Sequence, residues 1–245
     1  MKQLSLRIFR TSNKQKLFLI PYFFTFANAL LGFFAIINAL HGKVLLAAYC
    51  IAVATLMDML DGRIARKLGV SSNLGMELDS LCDAVSFCLA PTIIIYSWRA
   101  SELGMVGLAA LAIYLCCGLL RLARFNVTNT QQHFYFSGLP TPIAALLLCS
   151  CVINNAALQV SPFSVATYGF GCSVLIMAIA YCMLSSIPFP TFKQYTFNRL
   201  SISYISAAIV IVALGFSHGY PMMFIGIGAY IVSSICAYLY ECFNA

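Results

Sequence analysis

The chain is 245 residues long, with 62% hydrophobic residues, only 9% charged residues and a mean hydropathy of +0.91. A soluble domain carries roughly 25% charged residues to face water, so this composition excludes a water-coated globule and points to a bilayer as solvent. The formal net charge of +7 is spread between apolar runs, which argues against a nucleic-acid patch and for contact with membrane lipids.

Residues 1–16 form a basic segment with Lys2, Arg7, Arg10, Lys14 and Lys16, suited to anionic headgroups beside a membrane. Residues 17–240 are expected to form one domain, an all-α integral membrane protein. Its architecture is a polytopic bundle of about eight transmembrane helices with both termini cytoplasmic. The expected spans are 17–40, 43–61, 75–98, 103–122, 141–157, 164–187, 202–217 and 220–240. About 20 helical residues cross the hydrocarbon core, and a helix pairs its own backbone groups where no water is present. The first span is too long, and too closely followed by others, for a cleaved signal peptide. Pro140 and Pro142 suit the first turn of the fifth span.

With the N-terminus inside, twelve of the 14 basic residues fall on the cytoplasmic side and only Lys43 and Arg99 fall outside. That asymmetry follows the positive-inside rule and supports the span count. The 11 cysteines are scattered through apolar runs without zinc-ligand spacing, so they read as buried thiols used for packing. His41, His133 and His218 fall in expected loops far apart in sequence, which gives no support to a histidine metal site or a nucleophilic triad.

The acidic residues carry the chemistry. Of seven, five lie within 26 residues: Asp58, Asp61, Glu77, Asp79 and Asp83. Carboxylates inside a membrane are expensive and mark functional sites. Asp58 and Asp61 are three apart and share a helix face, while Asp79 and Asp83, four apart, share another with Gly75 one turn earlier. In an antiparallel hairpin the four aspartates converge. They cannot all stay ionised at low dielectric without cations between them. An all-oxygen donor set suits Mg²⁺ or Mn²⁺ and disfavours zinc.

Between the acids, Gly62 and Ala65 leave a flat patch where a ligand can approach the backbone. Arg66 and Arg63 can hold phosphate oxygens by charge-assisted hydrogen bonds. Lys67–Asn73 reads as a turn. On the residues alone two other readings stay open: aspartates paired with Arg63, Arg66 and Lys67 at the membrane surface, and a carboxylate-lined membrane transporter.

The stretch from Asp58 to Asp83 resembles the CDP-alcohol phosphotransferase signature, D-x2-D-G-x2-A-R-x8-G-x3-D-x3-D. All eight fixed positions are present: Asp58, Asp61, Gly62, Ala65, Arg66, Gly75, Asp79 and Asp83. Arg121–Asn126, Gly138–Pro142, Ser186–Lys193 and the opening run Pro21–Asn28 are similar to the bacterial and archaeal branch of that family that makes phosphatidylserine. In that branch an Asn commonly follows the first-span Pro, where this chain has Tyr22. The likeness covers residues 20–195.

The resemblance implies a homodimer in a bacterial inner membrane, with the site facing the cytoplasm. It implies a reaction of CDP-diacylglycerol with an acceptor alcohol, L-serine by the branch, releasing CMP. Glycerol 3-phosphate, inositol or choline are the alternative acceptors. By position, Asp58, Asp61 and Asp79 would hold the metal, and Asp83 would complete that set and act as general base. Gly62, Ala65 and Gly75 would border the cytidine, and Arg66 would contact phosphate. Serine is a zwitterion whose carboxylate needs a cation, so Arg121 and Arg124, with Asn126 nearby, are the expected serine-binding residues.

Overall fold

The computed structural model describes residues 13–69, 72–129, 138–158 and 165–185. All regular structure within them is helical: α1 (Asn13–Leu40), α2 (Val44–Leu68), α3 (Asn73–Asp83), a π turn (Ala84–Leu89), α4 (Ala90–Asn129), α5 (Thr141–Leu158) and α6 (Val165–Leu184). The expected spans 202–217 and 220–240, the stretch Ser186–Lys193, His133, His218 and the side chain of Arg66 lie outside the described residues.

The chain reverses between α1 and α2 through a Schellman motif. The Lys43 N–H donates to Asn38 O at 2.9 Å and the Gly42 N–H to Ala39 O at 3.0 Å, with Gly42 at φ 75°. Glycine takes this left-handed conformation without a Cβ penalty. Helix α2 then packs along α1. The contact is built from small residues, Ala35 and Ala39 against Ala47, Ala48 and Ala54, all buried. Small side chains let helix backbones approach closely where lipid offers no hydrophobic drive to associate.

Helix α2 does not stop at residue 61, where its apolar run ends, but continues to Leu68. The whole run from Asp58 to Arg66 is therefore helical, because Gly62–Leu68 contains good helix formers and no proline. Helix α3 starts at an N-cap, the Ser72 hydroxyl accepting the Gly75 N–H at 3.0 Å. Past Asp83 the ladder widens into the π turn, where the Ala90 N–H bonds Val85 O. The Tyr114 hydroxyl donates to Phe87 O at 2.9 Å, so the buried ring of Tyr114 braces this widened turn.

Helix α4 is broken at Arg99 (φ −132°) and Gly104 (φ 55°), where the third and fourth spans were expected to part. Among the described residues, four segments are long and apolar enough to cross a membrane: Leu19–Leu40, Val44–Ala65, Asn73–Arg99 and Leu103–Val127. Thr141–Ile153 and Phe170–Leu184 are shorter apolar helices. Phe23, Phe26, Phe33, Phe34, Met105 and Tyr181 point outward, as expected where the surroundings are acyl chains. The described residues form an all-helical fold whose apolar helices are those of an integral membrane protein.

The later helices clamp the hairpin. Helix α4 packs on α6 and α5, and α5 also meets α2. A Cβ at Gly118 of α4 would lie 2.6 Å from Cys88 Sγ, so this glycine lets α4 close onto the π turn. The segment leading into α5 is pinned to the end of α6 by the Leu139 N–H, which donates to Cys182 O at 3.0 Å. Cys82, Cys88, Cys117 and Cys149 are buried thiols within this packing.

Candidate active site

The hairpin of α2 and α3 brings the acids together. One oxygen from each of Asp58, Asp61 and Asp79 lies within 4.8 Å of the others. Asp83, one helical turn beyond Asp79, lies close to the Asp58 side chain. Asp61 is 4% exposed and Asp83 8%, while Asp58 and Asp79 are half-buried. Two unit charges about 5 Å apart repel by roughly 3 kcal/mol at an effective dielectric constant near 20. Several such pairs in one pocket call for a counter-charge.

A divalent ion fits that requirement. Oxygens on opposite sides of a Mg²⁺ ion, each about 2.1 Å from it, are separated by about 4.2 Å, close to the span of the three carboxylates. One oxygen of Asp79, Oδ1, is buried and has no hydrogen-bond partner. A buried polar atom without a partner is costly. A hard cation would satisfy it.

Helix α1 forms the third wall. The Thr25 hydroxyl donates to Asp61 Oδ2 at 3.0 Å and lies 3.1 Å from Pro21 O. The Asn28 amide donates from Nδ2 to Asp83 Oδ1 at 3.0 Å. Tyr22 Oη and Ser72 Oγ are 3.1 Å apart and share a hydrogen bond, so Tyr22 reaches the cap of α3. Thr25 and Asn28 were in the run likened to the family's first span, but their partners were not foreseen. A signal was present: Tyr22, Thr25 and Asn28 are polar groups at three-residue spacing within an apolar helix, and polar residues at that depth are rarely idle.

Gly62 and Ala65 lie half-buried on α2 beside the acids, and Gly75 lies half-buried on α3. A Cβ at Gly75 would sit 3.2 Å from Ser72 Oγ and 3.4 Å from Tyr22 Cε1, so its bareness also makes room for α1. Arg121 is 8% exposed and Arg124 is exposed, on the last turns of α4. Arg121 and Asp83 both act electrostatically on Cys88, in the π turn that follows Asp83. Asn126 is engaged by α3, accepting from Ser80 Oγ at 2.9 Å and donating to Glu77 Oε2 at 3.1 Å. It ties the end of α4 to α3.

Four aspartates on a membrane hairpin, set for a divalent ion, define a class of protein, and the sequence comparisons agree. Residues 18–184 match the CDP-alcohol phosphatidyltransferase family; the chain belongs to that family and is an enzyme of that kind. A CDP-diacylglycerol–serine O-phosphatidyltransferase from Helicobacter pylori (strain J99) is 30% identical over 225 residues, covering 91% of this chain and 92% of the relative. The Bacillus subtilis (strain 168) protein of the same name is 33% identical over 181 residues, 74% of this chain and 95% of the relative. An archaetidylserine synthase from Methanothermobacter thermautotrophicus is 32% identical over 173 residues, 70% of this chain and 69% of the relative.

Proposed function

We propose that the chain transfers the phosphatidyl group of CDP-diacylglycerol to L-serine, giving phosphatidylserine and CMP. The observation that carries this reading is the convergence of Asp58, Asp61 and Asp79 within 4.8 Å, with Asp83 beside them, in a chain similar to enzymes named for that reaction.

Asp58, Asp61 and Asp79 would hold Mg²⁺ or Mn²⁺, with Asp83 completing the set. When bound there, such an ion would supply neutralising charge for the pyrophosphate at the CMP leaving group. Gly62, Ala65 and Gly75 border the cytidine, and Arg66 contacts phosphate. The serine hydroxyl oxygen attacks the phosphorus that carries the diacylglycerol. The bond from that phosphorus to the CMP oxygen breaks, and the hydroxyl proton passes to Asp83. A general base has to reach that proton within hydrogen-bonding distance. The buried end of α3 gives Asp83 such a place, deep in the pocket.

Arg121 is the better receptor for the serine carboxylate. It is buried, whereas Arg124 is exposed and suits the mouth of the site. Asn126 acts by fixing the end of α4 through Ser80 and Glu77. Eight spans with cytoplasmic termini put the site on the cytoplasmic face of a bacterial inner membrane. The segment 1–16 is the headgroup-binding arm, residues 17–240 form the membrane domain, and the working unit is a homodimer.

The test is incorporation of radiolabelled serine into extracted lipid by the purified protein. Incorporation should require both CDP-diacylglycerol and a divalent ion, and should stop on chelation. Label entering lipid without the CDP-lipid, or undiminished by chelator, would refute the reading.

A further inference from the structure

Helix α1 lies outside the aspartate signature, yet one of its stripes reaches both helices of the hairpin that carries it. Tyr22, Thr25, Asn28 and Gly32 follow at intervals of three, three and four residues and share a face. In that order they meet the cap of α3 at Ser72, Asp61 on α2, Asp83 on α3, and Ser86 in the π turn. Gly32 has no room for a Cβ, which would lie 2.8 Å from Ser86 Cα.

Helix α1 donates to a defined oxygen of each of two carboxylates. Thr25 takes Asp61 Oδ2 and Asn28 takes Asp83 Oδ1. The torsion that turns a carboxylate about its Cβ–Cγ bond is broad, so an aspartate among like charges would swing away unless held. Hydrogen bonds to an ionised acceptor are the strong kind, and both of these are buried. The Asn28 end is doubly fixed, because the Ser86 hydroxyl donates to the Asn28 carbonyl at 2.9 Å. Asn28, Asp83 and Ser86 thus close a triangle between α1 and the start of the π turn.

We propose that α1 is the positioning element of this site, with separate tasks along its stripe: Thr25 sets Asp61 for the ion, and Asn28 sets Asp83 for the acceptor hydroxyl. The proposal rests on the phosphatidyl-transfer reading. It differs from a plain packing role because the two residues should then fail in different ways.

Three measurements on the full chain in detergent separate these outcomes: Mn²⁺ binding followed by the electron paramagnetic resonance of the free ion, steady-state kinetics, and the thermal midpoint. Removing a residue that orients a metal ligand typically costs 10- to 100-fold in affinity or activity. Thr25→Val should weaken Mn²⁺ binding by roughly tenfold or more, and Thr25→Ser should restore it. Asn28→Ala, whose partner only completes the metal set, should weaken Mn²⁺ binding clearly less than Thr25→Val does while lowering kcat roughly 10- to 100-fold, with little change in the KM for CDP-diacylglycerol. Phe26→Leu, on the outward face of α1, should change neither.

If Asn28→Ala is not recovered folded, Asn28→Ser, whose hydroxyl is too short to reach Asp83, reads the same split. Equal losses of ion binding and kcat in both variants, or losses that only follow the thermal midpoint, would overturn the proposal. Failure of the reaction itself is distinguishable: wild-type protein would then release no CMP with serine, while the Mn²⁺ comparison would still read out the Thr25 task.

Discussion

Asp83 and Arg121 are both buried polar residues, and their removal should have different signatures. Asp83→Asn keeps shape and the contact surface for Asn28 but takes away the proton acceptor. General-base catalysis is worth about 10²- to 10⁴-fold, so turnover should fall by that order while binding of CDP-diacylglycerol is largely spared. CMP release and nucleotide-lipid binding, measured side by side, check this; full activity in the variant would refute the base assignment. Arg121→Ala removes a charged hydrogen-bond donor worth about 1.5–3 kcal/mol, and should raise the serine KM roughly 10- to 100-fold. A change confined to the CDP-lipid KM would show that Arg121 serves the other substrate.

Residues of the signature were legible in the sequence because their meaning is local. Asp58 and Asp61, or Gly75, Asp79 and Asp83, need only helical geometry to be placed on a common face. Thr25 and Asn28 were not legible in the same way. Their partners lie 36 and 55 residues away, and only the packing of α1 on the hairpin selects them. Tyr22 makes the same point: it stands where an Asn is common in related chains and reaches Ser72 by its length, a contact no spacing could announce.

At the scale of elements, hydropathy located the helices well and their polar ends poorly. The apolar run of the second span ends at 61, yet α2 continues to Leu68, because the active-site surface is itself helical and polar. The break in α4 at Arg99 and Gly104 fell at the expected boundary, where charge and glycine interrupt the apolar run. The π turn had no sequence signal. It follows directly on Asp83, and such widened turns are frequent at functional sites.

Close approach of α1 to that turn depends on Gly32. In Gly32→Ala the new Cβ would meet the Ser86 backbone at 2.8 Å, and overpacking of this kind costs about 1–3 kcal/mol. The variant should melt at lower temperature in detergent and lose activity. Gly171→Ala on α6 is the comparison, since a Cβ there meets nothing within 4 Å and alanine favours helix over glycine. Equal melting of Gly32→Ala and wild type would show that α1 is not tightly seated.

For the whole molecule, composition alone named the solvent. With 9% charged residues in 245, the chain could not coat itself for water, and the likeness of its acids to a family signature then separated an enzyme from other membrane proteins. Among the described residues the metal-competent group is a single one, confined to the α2–α3 hairpin. A transporter would be expected to carry acids near mid-membrane on several helices. The proposed acceptor is supported less directly, by the buried cation Arg121 as a counter-charge for the serine carboxylate. The central claim is therefore tested most directly by CMP release from CDP-diacylglycerol with a divalent ion, serine, glycerol 3-phosphate, inositol and choline being supplied in turn to the purified protein. Release should depend on serine and remain near background with the other three; release that ignores serine, or that prefers another acceptor, would contradict it.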